Sequence, residues 1–512
     1  MLFLATAPRP MFFLAWLAFV PLLRAHRNST VKMAFLLGWV AGIVANFGNF
    51  YWIYELVVAH SAIPAVGGIL VTLLLAIQQG LKEAIWLGAA RYLGDKLAPA
   101  AFTYSVVYVA VEFLYPIIFP IHLGDTQAYS LYTRQVMDIA GPAGLSAVIM
   151  AFNLTLFQFL DQKRRPRYLA AAAAILVGTL GYGYARVVQY DRIIARADKI
   201  RVGMVENNIG VGQTTMETAR RQIMLAAQLA ATENPDLIVF PETAIKTPPP
   251  THKVGDFIAP SASSRFYPLS MTESAQNEIY SVQQGYNTPV LFGSTAIDPD
   301  RPGPVPGRPA LFNGAFLLDE NGKVLGTALK NKLLMFGEYV PGSSWFPWIY
   351  SEVLTKASAL YPGEQPSAIP FNGHKIGVSI CYEDILPGFS YELLQKKPNL
   401  LVNLTNDGWF GKTAEPYTHL ALAQARAVES RLFMVRSTCT GVSAYIDPLG
   451  RVLSQSDIDE PEVMVAEVAW LKGGSLFSVI GLYFPWLCVL LTVSSIWWTR
   501  RSRKGYEAPK RI

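Results

Sequence analysis

Three short segments of this 512-residue chain hold the residue types that acyl chemistry needs. The first is the apolar run Ile376-Gly377-Val378-Ser379-Ile380, which ends in Cys381 and continues as Tyr382-Glu383-Asp384. A strand over this run would deliver the Cys381 thiol at its C-terminal end, among carboxylates. The second is Asp236-Leu237-Ile238-Val239-Phe240-Pro241-Glu242-Thr243, where Glu242 stands just past another apolar strand. The third runs from Leu329 to Pro341 and sets Lys330 and Glu338 beside a turn. A cysteine that attacks an acyl carbon requires a base for its proton and a positive partner for the oxyanion. Glu242, Lys330 and Cys381 can fill those roles. The other two cysteines suit blander places: Cys488 lies in an apolar run as a small hydrophobe, and Cys439 follows a strand-like segment where a buried, inert thiol is expected. Three widely separated cysteines make neither a disulfide framework nor a metal-ligand spacing.

The elements that must position these residues begin at Lys199. Arg201 to Val205, Asp236 to Phe240, Pro289 to Gly293, Lys375 to Ile380 and Leu400 to Leu404 read as buried strands. Thr218 to Ala231 and Pro416 to Leu432 carry apolar residues at helical spacing. Asp319-Glu320-Asn321-Gly322 marks a hairpin, its Asn-Gly pair suiting a type I′ turn, and Asp447-Pro448-Leu449-Gly450 marks another. Strands alternating with helices, plus hairpins, predict a layered α/β domain. Residues 246 to 268, rich in Pro and Ser, read as a long flexible insertion.

The rest of the chain is of another kind. It is 52% hydrophobic and only 16% charged, where ordinary domains carry about a quarter charged residues, which argues against disorder and nucleic-acid binding. Apolar runs near 10–23, 33–58, 65–90, 99–121, 136–160, 168–188 and 475–498 approach or exceed the roughly 20 residues that cross a bilayer. Arg24, Arg27 and Lys32, then Arg91 and Lys96, then Lys163, Arg164, Arg165 and Arg167 fill alternate loops, and Arg500-Arg501-Ser502-Arg503-Lys504 follows the last run. By the positive-inside rule these face the cytoplasm, which puts the region between the sixth and seventh runs on the outer side. The net charge of +6 thus reads as membrane anchoring rather than as a nucleic-acid footprint. The expected divisions are 1–192, a transmembrane bundle of about six spans; 195–472, an outer catalytic domain; 475–499, a last transmembrane helix; and 500–512, a basic cytoplasmic tail. Glu112, Glu83 and Glu55 interrupt the apolar runs, as carboxylates hydrogen-bonded within the bundle or, for Glu112, as a contact to a substrate headgroup. Gly38 and Gly42 have the spacing that seats a neighbouring helix.

Glu242, Lys330 and Cys381, in that order and in these local motifs, resemble the carbon-nitrogen hydrolase (nitrilase) superfamily. With Phe336-Gly337-Glu338-Tyr339-Val340-Pro341, Cys381-Tyr382-Glu383, Asn406-Asp407-Gly408-Trp409-Phe410-Gly411, Arg436-Ser437-Thr438 and the flanking apolar runs, nearly the whole chain resembles its membrane-embedded branch, the apolipoprotein N-acyltransferases. The resemblance implies an α-helical transmembrane bundle with an α/β nitrilase-like αββα sandwich. It also implies a multi-pass protein of the bacterial inner membrane with its catalytic domain in the periplasm. The implied reaction moves an acyl chain from a phospholipid donor to the amine of a diacylglyceryl-cysteine on an apolipoprotein, through a thioester and by ping-pong kinetics, with no metal or other cofactor. Glu242 would be the general base, Cys381 the nucleophile and Lys330 the oxyanion partner, supported by Glu338, Tyr382 and Glu383. Trp345, Trp348, Trp409 and Glu112 are candidate substrate contacts, Trp345 to Tyr350 being a candidate lid or membrane-dipping arm. A monomer is expected.

The chain departs from the family pattern near Thr215, where a functional tryptophan usually stands, at Lys332 in Lys330-Asn331-Lys332-Leu333, at Met335, and at Cys439-Thr440, where two asparagines are usual. A further span before the first run is also usual. The alternative readings are a membrane-tethered amidase, or an acyltransferase with a different acceptor, and a non-catalytic lipid-binding relative. Retention of all three catalytic types argues against the last.

Overall fold

A computed structural model describes residues 1–94, 100–161, 165–206, 208–211, 213, 215–245, 267–268, 282–302, 309–335, 337–339 and 360–504. The chain divides into two compact units: Met1–Tyr54 with Ala65–Val188 and Ser475–Ile512, and Glu55–Pro64 with Gln189–Gly474. The insertion expected at 246–268 lies outside the described residues except for Tyr267 and Pro268.

The first unit is helical. Val31–Asn49, Ala65–Leu93, Thr133–Asp161 and Pro166–Arg196 are long and apolar enough to cross a membrane. The other apolar runs are not single long helices. The first divides into a 3-10 turn, Phe12–Trp16, and a short helix, Val20–His26. The fourth is helical over Ala100–Leu114 and stops ahead of Pro116, a residue whose neighbour disfavours helical backbone. The last is interrupted at Gly481, with φ +39°, before the helix Tyr483–Lys504 begins. Gly38 and Gly42 behave as their spacing predicts. A Cβ at Gly38 would stand 2.5 Å from the Glu83 carbonyl oxygen, and one at Gly42 would stand 2.7 Å from that of Gly80, so glycine is what lets the two helices meet. Glu112 accepts the Leu123 N–H at 2.7 Å. Glu83 pairs with Lys82 at 3.3 Å, a buried cation that the apolar run concealed. Cys488 packs with Val109, Ala110 and Val489 as a small hydrophobe.

The second unit is a sandwich of two sheets. Its strands are β1 (Lys199–Glu206), β2 (Leu237–Val239), β3 (Tyr267–Pro268), β4 (Val290–Pro302), β5 (Pro309–Leu318), β6 (Val324–Leu329), β7 (Ser367–Phe371), β8 (His374–Ile380), β9 (Leu400–Thr405), β10 (Met434–Thr438), β11 (Ala444–Ile446), β12 (Val452–Gln455) and β13 (Glu462–Ala469). One sheet runs β13-β1-β2-β4-β5-β6 with β3 beside β4, and the other runs β12-β11-β10-β9-β8-β7. β1, β2 and β4 are parallel, as are β8, β9 and β10. Such strands, covered on both faces, read as near-continuous apolar runs, which is why they were legible. The sheets face one another: the Tyr445 hydroxyl of β11 donates to the carbonyls of Val202 in β1 and Met464 in β13. Outside the first sheet, the helix Met216–Glu233 lays Ala219, Ile223, Ala226 and Leu229 over Ile238, Phe240 and Phe292. Outside the second lies the helix Glu415–Ser430, tied down by Gln424 to the Gly450 carbonyl and Arg426 to that of Ile385. The order of layers is αββα.

Both expected hairpins form, the first with a turn other than the type I′ expected of it. Gly322 has φ +78° while Asn321 does not have positive φ, and the Gly322 N–H bonds the Asp319 carbonyl at 3.1 Å. This is a type I turn closed by a left-handed glycine rather than type I′. The Asp319 carboxylate favours it by accepting the N–H groups of Asn321 and Lys323. Asp447 to Gly450 repeats the arrangement, with Gly450 at φ +78° and its N–H 2.8 Å from the Asp447 carbonyl.

Candidate active site

Parallel strands deliver their C-terminal ends to one edge of a sheet, and here both sheets do so. β2 leads through Phe240 and Pro241 to Glu242, β6 leads directly into Lys330, and β8 ends at Cys381. The turn at Glu242 crosses close over β4, where a Cβ on Gly293 would lie 2.7 Å from the Glu242 Cα. Only glycine admits that approach. Cys381 has φ +53°, an uncommon backbone for a residue with a side chain. It opens the 3-10 turn Cys381–Ile385.

The side chains meet in a buried cluster. Lys330 Nζ stands 2.8 Å from the Glu338 carboxylate and 3.5 Å from Glu242 Oε1. The Asn313 amide, from β5, donates to Glu242 at 2.5 Å and to Glu338 at 3.2 Å. The Cys381 thiol lies near enough to Glu242, Lys330 and Thr405 for each to act on its proton. Glu383 fastens two of the segments together, because its carboxylate accepts the N–H groups of Ile380 (2.9 Å), Lys332 (3.0 Å) and Asn331. That staple holds the residue after Lys330 against the residue before Cys381. Asn403 adds a bond to the Cys381 carbonyl at 3.2 Å.

Burial dominates the electrostatics. It pushes the Cys381 thiol far above its ordinary value, the Glu242 charge adding to the shift while Lys330 opposes it. Burial and then Glu338 hold Glu242 above the usual carboxylate range, against the pull of Lys330, Asn313 and the thiol. Lys330 is buried too, yet Cys381, Glu338 and Glu242 outweigh that and raise it well above an ordinary lysine. The resting cluster therefore holds a neutral thiol and a fixed cation beside the carboxyl groups of Glu242 and Glu338. It can carry out a proton transfer coupled to sulfur attack, with the cation already in place for an oxyanion.

A second buried network lies behind the Cys381 turn. His419 Nε2 bonds Asp384 at 2.6 Å, and its Nδ1 bonds Asp407 at 3.0 Å. Arg436 donates to Asp407 at 3.0 Å and lies 3.6 Å from Asp384. Burial lowers the affinity of His419 for its proton, but Asp384 and Asp407 override it and raise the imidazole to about 10. Burial raises the neighbouring Glu415 to about 8. Asp407, Glu415 and His419 have ligand atoms close enough to surround a metal, but an imidazolium has no lone pair for one, and Asp407 is already taken by Arg436.

Glu242, Lys330, Cys381, Glu338 and Glu383 thus come together. Tyr382 follows Cys381 in the same turn and is half-buried. Trp409 stands with its ring 4.9 Å from that of His60. Glu112 belongs to the helical unit, while Trp345 and Trp348 lie outside the described residues. At the positions where the chain departs from the family pattern, Thr215 caps the helix Met216–Glu233 through a reciprocal pair of bonds with Thr218. Lys332 lends its backbone to Glu383. The buried Cys439 thiol donates to the Glu242 carbonyl at 3.0 Å. Asn313 and His419 escaped the reading of the sequence. A polar residue inside the apolar run Ala310-Leu311-Phe312-Asn313-Gly314-Ala315 was the available signal for the first.

Residues 201–471, more than half of the chain, match the carbon-nitrogen hydrolase model, and the chain belongs to that family. Residues 1–155 match the N-terminal domain of apolipoprotein N-acyltransferase. Curated proteins named apolipoprotein N-acyltransferase are similar over most of its length. The one from Geobacter metallireducens is 29% identical, with 93% of this chain and 89% of that protein covered. The one from Bdellovibrio bacteriovorus is 28% identical, with 92% and 86% covered. Among solved structures, an amidase from Nesterenkonia sp. aligns at 17% identity and a TM-score of 0.37, covering 54% of this chain and 93% of its own.

Proposed function

We propose that this chain is a membrane-bound N-acyltransferase that moves an acyl chain from a phospholipid to the α-amine of an apolipoprotein's N-terminal diacylglyceryl-cysteine, the last step of lipoprotein maturation. The observation that carries this reading is the buried convergence of Glu242, Lys330 and Cys381, in a chain with four helices long and apolar enough to cross a membrane. The names of its relatives support it.

Glu242 takes the thiol proton as Cys381 sulfur attacks the ester carbonyl of the phospholipid. Lys330 stabilises the oxyanion, and Glu338 keeps Lys330 aimed there. Collapse of the intermediate breaks the ester bond, Glu242 returns its proton to the leaving alkoxide, and lysophospholipid departs from a Cys381 thioester. The neutral acceptor amine then attacks the thioester carbonyl. Glu242 takes a proton from the nitrogen and passes it to the departing sulfur, which leaves an amide and a restored thiol. No ATP, metal or other cofactor enters this balance, and the reaction is ping-pong. Residues 1–192 and 475–499 are the membrane part, in the bacterial inner membrane. The tail at 500–512 lies in the cytoplasm and 195–472 in the periplasm, an orientation supported by the loops rich in Lys and Arg. The catalytic groups come from one chain, so a monomer suffices.

The test is to incubate purified protein with phospholipid bearing a labelled acyl chain, trap a thioester at Cys381, and then add a diacylated lipopeptide. Label should pass to the peptide amine. Discharge to water at the same rate with and without peptide would make the protein a hydrolase, and an unchanged product from Cys381→Ser protein would end the proposal.

A further inference from the structure

We infer that a polar cavity of about 400 Å³ in the catalytic unit receives the polypeptide that follows the acceptor cysteine; the inference rests on the acyl-transfer reading above. Its size falls within the range of about 300–1,000 Å³ usual for ligand clefts. Loops after β1, β9 and β10, and the loop before β13, line it. One wall is tied to the turn that holds Glu242. Thr440 follows Cys439, whose thiol bonds the Glu242 carbonyl, and the Thr440 carbonyl accepts the Asp407 N–H at 3.1 Å.

The lining selects the occupant. Pro416 and Ile458 are its only wholly apolar side chains among the described residues, too few to hold a fatty acyl chain. It has no Lys or Arg there and contains Asp407 and Asp459, so a phosphate headgroup would meet carboxylates rather than the cations it needs. Lys412 stands beside the lining with Nζ 3.6 Å from Asp459, and its charge is shared with that residue.

What remains, for an occupant without negative charge, is hydrogen bonding. Gly210, Gly408, Gly411 and Gly441 leave bare main chain along the cavity. At Gly441, with φ +121°, a Cβ would fall 2.6 Å from the Asp407 side chain, so the bareness there is enforced. Thr440 is 4% exposed, and its hydroxyl has no hydrogen-bond partner among the described residues, a cost that a bound donor or acceptor would remove. Asn208 and Gln213 add amide side chains. An occupant recognised by amides, a hydroxyl and main chain is itself a peptide backbone, and such contacts tolerate any side-chain sequence.

The test compares a fluorescent diacylglyceryl-cysteine amide with the same lipid extended by four Gly, Ser and Asn residues, both titrated into Cys381→Ser protein in detergent. The extended ligand should bind about tenfold more tightly, the worth of one or two net hydrogen bonds. Filling the cavity with Gln213→Trp and Ile458→Trp together should bring the ratio to about one. Thr440→Val, which keeps the volume, should lower it about threefold, and guards against misfolding of the bulkier variant. Equal affinity of the two ligands for the parent protein overturns the inference. So does a filled cavity that leaves the ratio unchanged while lowering the thioester yield from labelled phospholipid in the Cys381 protein, which would mark a headgroup pocket. Binding needs no turnover, so a native protein that forms no thioester would overturn the acyl-transfer reading alone.

Discussion

The Cys381 turn adjoins two buried charge clusters, one gathered from both sheets and one from the second sheet and its helix, and they are built on opposite plans. Around Lys330, two carboxylates and a thiol share one cation, and the thiol keeps a proton that Glu242 is placed to take. Around Asp407, an arginine and an imidazolium are divided between Asp384 and Asp407. The first cluster has a proton with somewhere to go. The second has each charge matched by its opposite, so nothing in it gains by moving. Burial alone therefore does not mark a reactive group; what distinguishes the two is whether the protons are shared unevenly.

The largest expected effect breaks the reactive cluster. Cys381→Ser removes the sulfur and should abolish the thioester, and Glu242→Gln and Lys330→Met should each cut its formation by about 10²–10⁴, the scale of lost acid–base catalysis, while circular dichroism stays native. Normal thioester yield in any of the three would contradict the role assigned to that residue. The matched cluster should fail in another way. Arg436→Leu leaves Asp384 and Asp407 with one cation and should cost about 3–5 kcal/mol, the penalty for breaking a buried pair. This would be read from thermal unfolding of detergent-solubilised protein. An unmoved melting temperature would mean that Arg436 is not what balances the pair.

Asn313→Leu sharpens the contrast, since it removes the amide that holds Glu242 and Glu338 without removing a charge. Thioester formation should slow by about ten- to a hundredfold, as for a lost hydrogen bond to a charged group, and stability should fall by about 1–3 kcal/mol, the cost of an unsatisfied buried acceptor. A variant as fast as the parent would leave Lys330 as the sole organiser of the two carboxylates.

The smallest effect concerns Glu206, another buried carboxyl, which accepts the hydroxyls of Ser443 and Ser456. Burial raises it to about 8, against those hydrogen bonds. Between about pH 4.5 and 8 the folded chain keeps this proton while the unfolded chain has lost it, so stability falls as pH rises and levels off above about 8. Glu206→Gln should flatten that slope between pH 6 and 8 in melting-temperature scans. A slope unchanged by the substitution would place the titration elsewhere, Glu415 being the next candidate.

The sandwich was legible because its strands are parallel and covered on both faces, which leaves continuous apolar runs such as Leu237 to Phe240 and Ile376 to Ile380. Glu242, Lys330 and Cys381 stood out as polar or reactive residues where such runs stop. Asn313 did not, since it lies inside a strand and faces Glu242 only through the pairing of β4 with β5. The helical unit was less legible in detail. Apolar composition marks a segment that avoids water, but the breaks at Gly481 and ahead of Pro116 are backbone events within apolar stretches. Lys82, meanwhile, is offset by a neighbour of opposite charge.

By itself the sequence determined the alternation of strands and helices and the chemistry waiting at each strand end, because periodicity and apolar run length act over a few neighbouring residues. Only the tertiary structure decided that three strand ends far apart in the chain open on one cluster, that Glu383 staples two of them, and that His419 joins two aspartates. Those contacts follow from strand order and from the packing of one sheet on another, which no local stretch of residues encodes.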